Sequence, residues 1–166
     1  MAGPHTLAET ERAVESRLSD MNLDFEAMAV TSNLFRAANA VRNRLEGTVL
    51  KPHDLTWTAF VVLWVTWIWE EVETRIIAEE GGFSKATLSG VLATLERRGL
   101  VVRERSADDG RLVIVRLSPA GRRLMRRLFP LFNQQEQAVV AAIPAADRPG
   151  TAEALRRMTV TASEPR

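Results

Sequence analysis

The segment Ser84–Leu124, SKATLSGVLATLERRGLVVRERSADDGRLVIVRLSPAGRRL, decides how this chain is read. Ser84 can cap a helix, and Leu88, Val91, Leu92 and Leu95 then recur at helical spacing. Gly99 suits the left-handed position after that helix, where Leu100 can fold back on Leu95. Two β-rich runs, Leu100–Arg105 and Leu112–Leu117, flank a polar loop Ser106–Arg111 that contains Asp109-Gly110. That pattern predicts a β-hairpin. Ser118-Pro119 reads as the cap and first residue of another helix.

On the N-terminal side, Thr74–Glu80 predicts a short helix that ends at Gly81-Gly82. Two helices joined by a tight glycine turn form a helix-turn-helix, and a hairpin placed after them makes a winged helix. Such a lobe suits duplex DNA. The second helix enters the major groove by its N-terminal end, where polar side chains and free backbone N–H groups meet bases and phosphates. Ser84, Lys85, Thr87 and Ser89 lie at that end and are not needed for the buried stripe. Gly90 and Thr94 follow along the helix, Thr74 and Arg75 open the preceding one, and Arg105 and Ser106 edge the wing. At the wing tip Arg111 can enter a minor groove. Asp109 would be repelled by phosphate, so its expected role is to accept hydrogen bonds from Arg111 and hold it. The plainer alternative is a turn built by Asp109-Gly110 with Arg111 solvated.

Charge supports a nucleic-acid partner. The whole chain carries +1, yet Lys85–Arg127 has eleven Lys/Arg against four acidic residues, a net of +7, which leaves −6 on the remainder. The absence of cysteine excludes disulfides, thiolate nucleophiles and Cys-type zinc sites. Two histidines, His5 and His53, are too few and too far apart in sequence for a metal cluster or a Ser-His-Asp triad. No metal or cofactor is expected. Glu70, Glu71, Glu73 and His53 could form a weak metal or acid–base cluster, but an ordinary charged helix start explains the glutamates.

All four tryptophans fall in LTWTAFVVLWVTWIWEE, Leu55–Glu71. The apolar run, Ala59–Trp69, is too short to span a bilayer, and the N-terminus has no apolar leader. A cytoplasmic protein without membrane contact is expected. Thr56 is a good cap for a helix that is apolar nearly all round and therefore central. Its β-branched residues also suit a buried strand, but its length favours a helix. Trp67 and Trp69 are assigned to packing. Trp57, Phe60 and Trp64 share a face, with His53 nearby, and serve either as core or as the wall of a cleft for a planar aromatic acid.

Further out, residues 1–6 are read as loose, Leu7–Arg17 as a short polar helix and Asn22–Glu46 as one long helix with Met28, Leu34, Ala38, Val41 and Leu45 in register. Lys51-Pro52-His53-Asp54 breaks it. After Pro119 a long helix runs on, kinked near Pro130 and interrupted by Pro144 and Pro149-Gly150, before a last short helix from Thr151 to about Val160.

From Leu55 to Leu128 the chain resembles the multiple-antibiotic-resistance regulator (MarR) family of bacterial transcription factors. The likeness rests on LERRGLV, then Asp109-Gly110-Arg111, then LSPAGRRL. It implies a mainly α fold with a small antiparallel hairpin wing. It also implies a homodimer built from terminal helices, a pseudo-palindromic operator in double-stranded DNA, and repression relieved by a small aromatic or phenolic effector. The expected layout is residues 1–54 for dimerisation, 55–118 for the DNA-binding lobe and 119–166 for dimerisation. Gly90 and Thr94 depart from the family, which often has basic residues there. Two other functions stay open: a ligand-independent or architectural DNA-binding protein, and a winged-helix protein–protein module, against which the local +7 argues.

Overall fold

The computed structural model describes residues 4–106 and 109–164. Ala107 and Asp108 of the expected wing loop, and residues 1–3 of the expected loose terminus, lie outside the described residues. The elements run α1 (Leu7–Arg17), α2 (Phe25–Leu45), α3 (Trp57–Trp69), β1 (Glu71–Glu73), α4 (Thr74–Gly81), α5 (Lys85–Arg97), β2 (Val101–Arg105), β3 (Val113–Leu117), α6 (Pro119–Val140) and α7 (Arg148–Ser163). Two compact units result, Met1–Asn43 and Arg44–Arg166.

In the first unit, Thr6 is not loose. Its hydroxyl accepts from the Glu9 N–H at 3.2 Å while the Glu9 carboxylate accepts from the Thr6 N–H at 2.7 Å, so both groups cap α1. Asn33 of α2 donates to Glu11 of α1 at 2.6 Å. No residue from 4 to 43 is buried, and Leu7, Met28, Val30 and Phe35 are exposed.

The second unit holds the core. Beyond α2 the chain makes one wide turn of π-helical pitch (Glu46–Leu50) and a 3₁₀ turn (Lys51–His53), then stops at Asp54 in the left-handed region. Short polar Asp tolerates that conformation. Two N–H groups at the start of α3 are satisfied from different places: Thr56 accepts from Ala59 at 3.2 Å, and Glu46 accepts from Trp57 at 2.7 Å. Val62, Leu63 and Val65 of α3 are fully buried, with Ile77, Leu88, Leu92, Leu95, Val115, Met125 and Leu128 among the core. Each is worth roughly 1.5–3 kcal/mol of burial.

The expected hairpin is present but is part of a three-stranded sheet. The strand order is β1-β3-β2, with Glu71 opposite Arg116 and Val101 opposite Leu117. The Glu71–Glu73 segment therefore begins no helix; it is a strand. The chain reverses into it at Glu70, whose φ of 63° and ψ of −60° are strained for a non-glycine residue. Arg116 spans the sheet, with Nε 2.8 Å from Glu71 and a second contact to Glu104.

The C-terminal expectations need one correction, at the start of the last helix. Helix α6 runs on through Pro130 as one long helix, but α7 starts at Arg148 and not at Thr151, so Pro149 and Gly150 sit inside its first turn. Proline is tolerated there because that N–H has no helical partner. No helix among the described residues is long and apolar enough to cross a membrane.

A tight junction joins α5, the wing and α6. Gly99, at φ 67°, ends α5, and the Leu100 N–H returns to the Leu95 carbonyl at 2.9 Å. The Ser118 hydroxyl donates to the Gly99 carbonyl at 2.5 Å and accepts from the Gly121 N–H at 3.0 Å. A Cβ at Gly121 would lie 2.1 Å from the Leu100 carbonyl oxygen, whereas one at Gly90 would meet nothing within 4 Å. Gly121→Ala is therefore expected to lower unfolding free energy by about 1–3 kcal/mol in a denaturant titration. Gly90→Ala should lose none, because alanine is the better helix former. An unchanged midpoint for Gly121→Ala would contradict the close approach.

Candidate nucleic-acid interface

Helix α5 presents the side chains the sequence singled out. Ser84, Lys85, Thr87, Ser89, Gly90 and Thr94 are all exposed, while Leu88, Leu92 and Leu95 turn inward. Ser84 is the N-cap: its oxygen accepts from the Thr87 N–H at 3.1 Å and its hydroxyl meets that of Thr87 at 2.8 Å. The remaining N–H groups of the first turn, and the positive end of the helix dipole, point outward. The open space at Gly90 removes packing within the chain as the reason for glycine there.

Two clefts border this helix. On one flank Thr74, Arg75, Lys85, Ser89 and Arg103 line a cleft of about 380 Å³, which brings four of the expected residues together. On the other, Thr87, Gly90, Thr94, Asp54 and Arg98 line one of about 440 Å³. Arg75 is paired with two carboxylates, half-buried Glu73 at 3.7 Å and exposed Glu79 at 3.5 Å. Such pairs are weak and exchange readily for phosphate. Thr74 is half-buried at the start of α4.

Arg103 was not anticipated. Its Nε donates to Glu96 at 3.0 Å, tying β2 to α5, and this bond holds the Glu96 carboxyl below the usual carboxylate range. The signal available was strand alternation: Arg103 and Arg105 fall on the same face. Arg105 is exposed and lies opposite Val113 at the end of the hairpin.

At the wing, Arg111 reaches outward, with its side chain 92% exposed. Asp109 accepts from it three times: from the backbone N–H at 3.0 Å, Nε at 3.2 Å and Nη2 at 3.3 Å. The side-chain bonds, then the backbone bond, keep the Asp109 carboxyl below its ordinary range, so the pair stays charged at neutral pH. Ser106 in turn accepts from the Asp109 N–H at 3.3 Å and its own N–H reaches the Leu112 carbonyl at 2.9 Å.

The aromatic residues are arranged differently from expectation. Phe60 is 4% exposed and stacks on Phe132 of α6 at 4.3 Å, an arrangement that fits the core reading of the two left open for it. Trp57 leans against the same pair, 6.2 Å from Phe60 and 6.3 Å from Phe132. Trp67 packs edge-on to Phe129 at 5.4 Å, as assigned. Trp69 does not pack: it is 62% exposed, because α3 buries one side and its last turn runs past the core. Trp64 is 36% exposed. His53 lines a separate cleft with Arg98, Arg123 and Arg127, which none of the three expected rings enters. Among the described residues no group of three or more His, Asp or Glu is placed to hold a metal ion.

This geometry matches known proteins. The MarR family model matches residues 55–113. The chain is 36% identical over 140 residues, 82% of each chain, to the uncharacterized HTH-type transcriptional regulator YwaE of Bacillus subtilis. Among solved structures it is similar to BpsR of Bordetella bronchiseptica, whose DNA binding is regulated by 6-hydroxynicotinic acid, with 27% identity and a TM-score of 0.71 over 78% of this chain and 98% of that one. Sco3205 of Streptomyces coelicolor, a MarR family regulator solved in complex with DNA, shares the fold at a TM-score of 0.76 and 19% identity over 86% of this chain and 91% of that one. The chain belongs to the MarR family and is a DNA-binding transcriptional regulator, not an enzyme.

Proposed function

We propose that the protein is a cytoplasmic homodimeric repressor that binds a pseudo-palindromic operator and is released from it by a small planar aromatic acid. The observation that carries the DNA contacts is the pairing, in one lobe, of an exposed polar N-terminus on α5 with Arg111 held outward by Asp109. In this reading Ser84, Lys85, Thr87, Ser89 and Gly90 enter the major groove, with Thr94 further along the helix. Arg111 enters the minor groove, and Thr74, Arg75, Arg105 and Ser106 contact the phosphates.

Dimerisation is supported by helices that lack a core of their own. Neither α1 nor α7 buries a residue, and α2 buries only Leu45. The exposed Leu7, Met28, Phe35, Leu155 and Val160 suit a second copy. Two lobes would then meet half-sites roughly 34–36 Å apart.

The ligand part rests on Trp57 and Trp64, with Trp57 beside the Phe60–Phe132 stack. The 6-hydroxynicotinic acid of BpsR is such a planar acid. A second reading, a ligand-independent or architectural DNA binder, is favoured by the burial of Phe60, which removes one wall of the expected cleft.

Arg111→Ala is expected to weaken operator binding roughly 5- to 150-fold in a gel-shift titration, with the unfolding midpoint unchanged. Equal affinity for variant and wild type would overturn the wing assignment. For the ligand, 6-hydroxynicotinic acid should quench intrinsic Trp fluorescence, and Trp57→Phe should reduce that quenching. An aromatic acid that releases DNA while leaving every Trp signal unchanged would contradict the site, and one that does neither would favour the ligand-independent reading.

A further inference from the structure

Four arginines of this lobe are matched to carboxylates: Arg75 to Glu73 and Glu79, Arg103 to Glu96, Arg111 to Asp109, and Arg116 to Glu71 and Glu104. The first half of α6 breaks that pattern. Arg122, Arg123, Arg126 and Arg127 are all exposed, and none has a hydrogen bond or ion pair with a described residue. Like charges one turn apart on a helix repel each other.

Two of the four differ from the others in what they face. Arg123 and Arg127 line a cleft of about 440 Å³, together with His53 and Asp54 from the loop before α3 and Arg98 from the end of α5. The opposite wall is fixed in place. Arg98 donates to the His53 carbonyl at 3.0 Å and the Asp54 carbonyl at 2.5 Å. The His53 Nδ1 sits 3.0 Å from the Val49 carbonyl, which can only accept, so Nδ1 carries a proton and Nε2 is left without a partner. Asp54 is the single carboxylate in the lining, against three guanidinium groups. Planar guanidinium forks match the geometry of a phosphate or carboxylate and bind it in pairs of hydrogen bonds.

We propose that this cleft is an oxyanion-binding site, in which Arg123 and Arg127 take the anion and Arg98 and His53 form the back wall. It adjoins the groove-reading face but does not depend on the repressor reading. Asp54 and Arg98 also line the cleft along α5 that holds Thr87, Gly90 and Thr94. The anion can therefore come from either of two sources, a phosphate of DNA flanking the half-site or a free small oxyanion.

The test uses the full chain, first without DNA. Inorganic phosphate is titrated while the ring resonances of His53 are followed by NMR, with His5 as the internal reference. The expected result is a saturable shift of His53 that is lost in the double variant Arg123→Ala/Arg127→Ala. The shift should persist in Arg122→Ala/Arg126→Ala, which removes the same charge from the same helix outside the cleft. No shift in the wild type, or equal loss in both double variants, would overturn the site. A second arm names the source. If the salt dependence of duplex binding falls by about 1–2 in log–log slope for Arg123→Ala/Arg127→Ala but not for Arg122→Ala/Arg126→Ala, the occupant is a DNA phosphate. If the slopes agree while the phosphate-induced shift holds, it is a free anion.

Discussion

The wing can work with α5 only because Ser118 and Gly121 clamp the chain where α5, β2 and α6 meet. One hydroxyl serves two backbones, donating to Gly99 and accepting from Gly121, and the Ser118 N–H reaches the Leu100 carbonyl at 3.0 Å. The absence of a side chain at Gly121 lets α6 press on that carbonyl. Ser118 is 8% exposed, so these bonds are made away from water, where leaving a partner unmade is costly. Gly99 adds a left-handed turn that only glycine adopts without cost. The strands that carry Arg111 thus leave α5 at a set angle, reinforced by the Arg103–Glu96 bond from β2 back to α5.

On this frame the charges divide by role. Pairs such as Arg116 with Glu71 and Glu104 link the three strands and contribute little to affinity for an anion. Asp109 and Arg111 look similar on paper but act differently. The carboxylate restricts a side chain that remains almost wholly in water, so its ordering cost is partly met before DNA arrives. Lys85, and Arg123 and Arg127 of α6, have no such partners and are free to meet phosphate. The net charge of +1 conceals this division, since the acidic surplus lies elsewhere in the chain.

Features set by local chemistry were legible in the sequence. The caps Thr56, Ser84 and Ser118, the left-handed Gly99, the hairpin and the α1 boundaries all follow from residues within a few positions of one another. What was missed depends on distant partners. The strand Glu71–Glu73 exists because β3, some forty residues on, pairs with it. Phe60 is core because Phe132 stacks on it. His53 belongs with arginines of α6, not with the nearby tryptophans. A helix apolar all round does not reveal which of its ends outruns the core, and so Trp69 was misplaced. The start of α7 is hidden in the sequence because Pro149 looks like a break, although a first turn accepts proline.

The central claim is that two copies of the chain set a polar helix tip and an arginine-bearing wing from each into the grooves of one duplex. Hydroxyl-radical footprinting of the DNA upstream of the protein's own gene tests it most directly. The account predicts two protected half-sites centred roughly 34–36 Å apart, each with minor-groove protection beside it. A single asymmetric patch, or half-sites without minor-groove protection, would contradict it.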